Sequence, residues 1–215
     1  MIETISDRAA WLEARKKGIQ ASEAAAIFGL SPYMTAYDLY RLKRGKATDK
    51  DLSDNDRVAY GQAAEPLIRG IFALDFPQYE ITYRQYDIYR NDRIPFIGAT
   101  LDGELFDTEN LRSGILEIKT CLISSATLSQ EWQGDRIPDQ YYVQIVHQLA
   151  ATGFDFVKLA ALLRYEIDGE KFSRIIYRHY ERADLESDIA YLIAEEEKFW
   201  DNTQAGIAPP VKINL

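Results

Sequence analysis

The chain has 215 residues, of which 47% are hydrophobic and 27% are charged, a composition typical of a globular domain with a sizeable core. One cysteine excludes a disulfide framework and a cysteine-rich metal or iron–sulfur site, and no apolar run approaches the roughly 18 residues of a membrane span. Because the N-terminus lacks the basic-then-apolar pattern of a signal peptide, we expect a cytoplasmic protein without a membrane partner.

The formal net charge of -9 argues at first sight against a nucleic-acid partner. The charge is unevenly distributed, however. Residues 1–50 carry nine basic and six acidic side chains, whereas residues 181–201 carry two basic and eight acidic ones. DNA bound to one face of the protein is therefore compatible with the sequence.

The first part of the chain, to about residue 76, is predicted to be helical. The predicted elements are a helix ending over Trp11–Lys17, a short helix Glu23–Phe28 with Ser22 as its N-cap, a helix from Ser31-Pro32 to Gly45, an exposed polar loop Ala47–Asp56 and a helix Arg57–Phe76 with a restart or kink at Pro66.

Strand patterns dominate the middle of the chain. We predict strands between Tyr79 and Thr120 with a turn at Asn110 and Ser113-Gly114, an irregular or partly helical segment Ser124–Pro138, a helix Asp139–Thr152, strands Val157–Leu163 and Arg174–Tyr180, and an amphipathic helix from Leu185 to Phe199. This order predicts an α/β fold with one mixed sheet flanked by helices. We expect a single domain with a helical part (about 1–76), an α/β core (about 77–180) and a C-terminal helix and tail (181–215).

The most informative segment is Leu116-Glu117-Ile118-Lys119. In a strand, Leu116 and Ile118 share one face and Glu117 and Lys119 share the other. Burying a carboxylate beside an ammonium is costly unless the two are paired, hydrated or holding a metal. Asp102 ends the preceding strand-like run and comes close to Glu117 if the two strands pair.

Each of these signals also has a structural interpretation. A Glu-x-Lys pattern occurs by chance about once in a chain of this size. Glu65 is explained equally by the helix dipole. Gln144 and Gln148, with His147 beside them, are explained by a solvated polar stripe.

Taken in order, the residues resemble the YqaJ-type viral recombinases, the lambda exonuclease family of the PD-(D/E)xK nuclease superfamily. The residues that carry the resemblance are Trp11, Arg15, Ala21-Ser22-Glu23, Gly61, Glu65-Pro66, Gly98, Asp102-Gly103, Leu116-Glu117-Ile118-Lys119, Tyr141 and Gln144. One departure is Leu101, where the family usually has a proline before the aspartate.

The resemblance implies a restriction-endonuclease-like core and a two-ion site for Mg²⁺ or Mn²⁺. Asp102, Glu117, the Ile118 carbonyl and Glu65 would hold the ions, and their oxygen ligands fit hard cations. Lys119 would orient the attacking water. The resemblance also implies contacts to the DNA 5′ phosphate, and the residues that would make them are Arg15, Ser22, Thr100 and Gln144.

The function implied by the resemblance is a metal-dependent 5′→3′ exonuclease that degrades one strand of linear double-stranded DNA. The expected assembly is a homotrimer ring, encoded by a phage or prophage, that acts with a single-strand annealing protein in recombination. Two alternatives remain open at this stage: a sequence- or structure-specific endonuclease of the same superfamily, and a non-catalytic DNA-binding or assembly protein.

Overall fold

Two β-sheets organise the computed structural model, which describes residues 1–48, 54–167 and 169–210, with only the backbone described at Ile167. The helices in this part of the chain are α1 (Arg8–Arg15), α2 (Ala21–Ile27), α3 (Ala36–Lys43), α4 (Asp56–Asp75), α5 (Ala126–Gln130), α6 (Asp139–Thr152) and α7 (Glu186–Gln204), the last preceded by a 3-10 turn (Arg182–Leu185). The strands are β1 (Ile2–Glu3), β2 (Ile19–Gln20), β3 (Tyr79–Thr82), β4 (Ile88–Arg90), β5 (Ile97–Ala99), β6 (Gly103–Asp107), β7 (Arg112–Ile123), β8 (Phe156–Ile167) and β9 (Glu170–Glu181).

The larger sheet has the strand order β3-β6-β7-β8-β9. Strand β7 pairs in parallel with β8 and antiparallel with β6, so the sheet is mixed and the predicted α/β class is confirmed. The described residues also form a second sheet, β1-β4-β5-β2, which was not predicted. Its strands are two or three residues long, too short to show a period-2 pattern.

Strand β7 lies at the centre of the larger sheet and has different neighbours on its two faces. Leu116 and Ile118 belong to a core cluster with Phe72 of α4, whereas Ile115 belongs to the core cluster of α6. The predicted alternation is therefore observed, and Glu117 and Lys119 share the α6 face. In the β6–β7 pairing, Gly103 lies opposite Leu116.

Several helix boundaries differ from the predicted ones. Helix α3 begins at Ala36 with Thr35 as its N-cap, not at Ser31-Pro32, and α4 continues without interruption through Pro66. Pro66 lies on the exposed side of α4, where its ring does not disturb the core. Part of the predicted loop Ala47–Asp56 lies outside the described residues. None of the described helices is both long enough and apolar enough to cross a membrane.

The predicted turn at Ser113-Gly114 is wrong, because both residues belong to β7. The turn lies just before them, where Asp107 accepts hydrogen bonds from the backbone N–H groups of Glu109 and Asn110. Gly114 instead allows the ring of Phe156 to pack against the backbone of β7. A Cβ at this position would lie 2.2 Å from the ring of Phe156.

Replacing Gly114 by alanine should therefore destabilise the protein. The clash is with an aromatic ring that is itself fully buried, and overpacking of this kind costs about 1–3 kcal/mol. Gly70 is the matched control, because it lies in α4 with no atom within 4 Å of an added Cβ. There, alanine should raise the free energy of unfolding by about 1 kcal/mol. Urea unfolding checks both values; equal effects of the two substitutions would contradict this interpretation.

Candidate active site

Glu117 is a buried carboxylate held by three side-chain donors. Its side chain is 2% exposed, and Lys119 forms an ion pair with it from two residues along the same strand face. Gln144 donates a hydrogen bond to Oε1 of Glu117 at 2.7 Å and Gln148 donates to Oε2 at 2.5 Å. The two glutamines are four residues apart on α6 and therefore share one helix face. Together these donors fix both oxygens of Glu117.

Asp102 lies beside this group, at the start of β6. Its Oδ2 accepts the backbone N–H of Ile118 at 2.7 Å, and its carboxyl group is in hydrogen-bonding contact with that of Glu65 on α4. The guanidinium of Arg69, one turn further along α4, donates its Nε–H to the backbone carbonyl of Asp102 at 2.8 Å and stacks on the ring of Tyr83. Asp102 is thus fixed from both β7 and α4.

The electrostatics of the site reflect burial and crowding of like charges. Burial, reinforced by the contact with Glu65, raises the pKa of Asp102 to about 8. Burial also raises the pKa of Glu117 to about 7; the Asp102 charge adds to this and the Lys119 charge opposes it. Burial disfavours the charged form of Lys119, but the negative charges of Glu117 and Asp102 outweigh it, and the pKa of Lys119 lies above its ordinary value.

These carboxyl groups suit a hard cation, although they do not form a ready-made cluster. Among residues 1–48, 54–167 and 169–210, no three His, Cys, Asp or Glu side chains are grouped closely enough to hold a metal ion. Asp102 and Glu65, however, can be in contact only if they share a proton or if a cation replaces it. The donor set of the site offers oxygen atoms, which Mg²⁺ and Mn²⁺ prefer. We conclude that the residues present fit such an ion.

A second group of predicted residues lies at the C-terminal end of β5. Arg15 stacks on the ring of Trp11, 4.6 Å from its centroid, and donates a hydrogen bond to the hydroxyl of Ser22 at 3.2 Å. The indole N–H of Trp11 donates to Oγ1 of Thr100 at 2.9 Å. Arg15 also lies 3.5 Å from Glu23, whose other oxygen is bound by Lys43 at 2.6 Å.

The prediction that Ser22 is an N-cap is wrong. The N-cap of α2 is Gln20, and Ser22 is the second residue of the helix. The Glu23 carboxylate accepts the backbone N–H of Gln20 at 2.9 Å, and this hydrogen bond stabilises the N-terminus of α2. The helix therefore begins at Ala21, two residues before the predicted start. Ser22 is left exposed, with its hydroxyl directed to Arg15.

The structure therefore brings the sequence-predicted residues into two neighbouring groups. One contains Glu65, Asp102, Glu117, Ile118, Lys119 and Gln144; the other contains Arg15, Ser22 and Thr100. Gln144 contacts Glu117, and its predicted phosphate contact stays a prediction, as does metal binding by the Ile118 carbonyl. No role was predicted for Gln148 or Arg69. The four-residue spacing from Gln144 was a signal for Gln148; nothing in the sequence singles out Arg69.

Comparisons with known proteins identify the family to which most of this chain is similar. The model of the YqaJ-like viral recombinase domain matches residues 10–155. The uncharacterized protein YqaJ of Bacillus subtilis (strain 168) is 30% identical over 200 residues, which cover 93% of this chain and 57% of that protein. The chain thus spans little more than half the length of this relative.

Two solved structures show the same fold. The crystal structure of an alkaline exonuclease (LHK-Exo) from Laribacter hongkongensis has a TM-score of 0.65 and 19% identity, covering 93% of this chain and 94% of the exonuclease. The same enzyme in complex with dAMP gives a TM-score of 0.64 and 20% identity over the same shares of both chains. At this identity the likeness concerns the fold, which is of the PD-(D/E)xK type. Because the family model matches more than half of its length, the chain belongs to the YqaJ-like viral recombinase domain family.

Proposed function

We propose that this protein is a metal-dependent exonuclease that degrades one strand of linear double-stranded DNA in the 5′→3′ direction. The observation that carries the proposal is the ion pair between the buried Glu117 and the partly buried Lys119, next to the Asp102–Glu65 pair. Three carboxyl groups and one lysine converge there from a strand pair and a helix, and all four are functional groups that phosphodiester hydrolysis uses.

The chemistry of the site follows from the donors on each side chain. Two Mg²⁺ or Mn²⁺ ions held by Asp102, Glu117, Glu65 and the Ile118 carbonyl would activate water and offset phosphate charge. Gln144 and Gln148 keep Glu117 in one orientation. Lys119, which remains charged at neutral pH because of its carboxylate neighbours, orients the attacking water and stabilises negative charge on the phosphate in the transition state.

Recognition of a DNA end is assigned to the second group of residues. Arg15 is held flat against Trp11 with one N–H on Ser22, and a guanidinium of fixed orientation binds phosphate with good geometry. Thr100 connects this group to Asp102, two residues later in the chain. We propose that Arg15, Ser22 and Thr100 bind the 5′ phosphate, and that Gln144 completes the phosphate contacts while the strand end lies at the catalytic carboxylates.

The biological setting remains part of the same proposal. The product would be a 3′ single strand for phage-type recombination, passed to a single-strand annealing protein in the bacterial cytoplasm. A homotrimer ring around the DNA would make degradation processive. The C-terminal helix α7, within a segment that carries eight acidic side chains over residues 181–201, is a candidate contact for the annealing protein.

The decisive test is digestion of linear duplex DNA compared with covalently closed circles in Mg²⁺. An exonuclease degrades the linear molecules and leaves the circles intact, whereas an endonuclease of the same superfamily cuts both.

Asp102→Asn should abolish digestion because it removes an anionic ligand. Its amide still offers an oxygen to the Ile118 N–H and an N–H to Glu65, so the melting temperature should not fall. Digestion by Asp102→Asn at the wild-type rate would refute the site.

Lys119 is expected to act in the chemical step rather than in DNA binding. Lys119→Ala should lower the single-turnover rate by about 10²-fold, the scale of losing one positioned electrostatic group. Duplex affinity in Ca²⁺ should stay within a few-fold. Lys158→Ala is the control, because Lys158 lies on β8 against Phe76 and Tyr79. A Lys119→Ala protein that binds poorly but cleaves normally at saturating DNA would contradict this role.

The proposed phosphate pocket consists of Arg15, Ser22 and Thr100. It predicts that the enzyme prefers one kind of DNA end. A charged hydrogen bond contributes about 1.5–3 kcal/mol, so 5′-phosphorylated duplex should be degraded roughly ten- to a hundredfold faster than 5′-hydroxyl duplex. Arg15→Ala should reduce this preference mainly by slowing the phosphorylated substrate, and Ser22→Ala should do so more weakly.

Lys16→Ala is the matched control for the phosphate pocket. Lys16 follows Arg15 directly but pairs with Glu13 on the surface, so its loss should leave the preference unchanged. Because Ser22 is not the N-cap of α2, Ser22→Ala should not cost the roughly 1 kcal/mol of a lost cap. Equal rates on both kinds of end in the wild type would reject the pocket.

A further inference from the structure

A buried histidine lies on the active-site helix without contacting the site itself. His147 of α6 directly precedes Gln148, and its side chain is 0% exposed. Its Nδ1 lies 2.7 Å from Oε1 of Glu196 on α7, and its Nε2 lies 2.9 Å from the carbonyl oxygen of Gly98 on β5. Glu196 is also 0% exposed. One imidazole thus joins three elements in the core.

The two contacts require two protons. A backbone carbonyl can only accept, so Nε2 carries a proton, and the short Nδ1–carboxylate contact requires a second proton between its two atoms. Oε2 of Glu196 has no hydrogen-bond partner in the described part of the chain, so the contact with Nδ1 is this carboxylate's only such bond there. The second proton is shared between Nδ1 and Glu196, and when it lies on the ring the imidazole is positively charged and paired with the Glu196 carboxylate.

The surroundings of the ring favour this charged state. The charged groups that face it are Glu196 from α7 and, at longer range, Glu23 from α2; Glu23 is itself bound by Lys43 and Arg15. Strand β5 contributes the Gly98 carbonyl. Burial disfavours the protonated ring, but the negative charge of Glu196 and the two hydrogen bonds outweigh it, so the pKa of His147 is raised.

We propose that the proton shared by His147 and Glu196 positions helix α6 against strand β5, and that His147 is a positioning residue for hydrolysis. Helix α6 supplies the two glutamines that hold Glu117. Strand β5 leads from Gly98 to Thr100 and Asp102. The pair therefore sets the distance between the two sides of the catalytic site. This inference rests on the proposed nuclease function.

The pair has a defined pH dependence. A histidine whose pKa is raised on folding contributes stability that is fully present below its unfolded pKa of about 6.5, and this stability is lost as the pH rises through the folded pKa. When the proton leaves, Glu196 faces the bare lone pair of Nδ1 and repels it. Glu196→Gln removes this sensitivity, because its amide N–H can donate to Nδ1 of a neutral ring while Nε2–H still binds Gly98.

The protonation state can be tested by NMR without any reference to activity. The chain contains two histidines, and His179 is a matched control because it forms a surface pair with Glu181 at the same 2.7 Å. In the wild type, both ring nitrogens of His147 should carry a proton at pH 7. In Glu196→Gln, the proton affinity of His147 should fall at least tenfold. A wild-type His147 that is neutral at pH 7 would overturn the proposal.

Positioning is tested by kinetics and by hydrogen exchange. The ratio of the single-turnover rate of Glu196→Gln to that of the wild type should rise several-fold from pH 7 to pH 9.5. This ratio cancels any titration that the two proteins share. A constant ratio would refute the role of the shared proton.

His147→Ala should lower the rate about tenfold at unchanged DNA affinity and speed exchange of the Ile118 amide, which binds Asp102. His179→Ala should change neither. If the wild type degrades no DNA, the proposed function fails. Hydrogen exchange of the Ile118 amide still tests the positioning role in that case. Unchanged exchange in His147→Ala would overturn the positioning role. If His147→Ala does not fold, Glu196→Gln decides through the pH dependence of the rate ratio and the protonation of His147.

Discussion

The buried carboxylate of Glu117 is the constraint on which the rest of the site depends. Removing an ionised carboxylate from water costs several kcal/mol unless hydrogen bonds and an opposite charge replace the water. Glu117 obtains both, from Lys119 on its own strand and from Gln144 and Gln148 on α6. Because these donors come from two elements, the requirement to satisfy one carboxylate also fixes how α6 packs on the sheet.

Asp102 connects the two faces of the sheet at this point. The alternation along β7 sends Glu117 toward α6 and Ile118 toward α4, so neither face alone could collect the three carboxyl groups. Asp102 lies at the start of β6, where it accepts the Ile118 N–H and contacts Glu65 from α4. The hydrogen bond from the Ile118 N–H to Asp102 thus holds the Asp102 carboxyl group close enough to Glu117 for its charge to raise the pKa of Glu117.

The sequence was most informative where charged side chains interrupt an apolar strand pattern. Charged residues in an apolar strand, at Glu117 and Lys119, predicted both the strand and the candidate site. Features set by tertiary contacts were not predictable. Gly114 resembles a turn residue, yet only the ring of Phe156 explains it. The start of α2 was missed for a local reason instead: Ser22 resembles an N-cap, but the Glu23 carboxylate binds the Gln20 N–H three residues before it, and the helix starts earlier. Gln148 resembles a solvated residue until Glu117 is known to lie against α6.

The connection between the two groups of residues gives an exonuclease a physical advantage over independent sites. Thr100 and Asp102 are two residues apart, a span of at most about 7 Å even in a fully extended chain. Thr100 is bound by Trp11, on which Arg15 stacks. Under the proposed function, a 5′ phosphate bound at Arg15 is held at a fixed distance from the carboxylates, so binding energy at the end of the strand is converted into alignment of the bond to be cleaved. A duplex without that end would lose alignment as well as affinity.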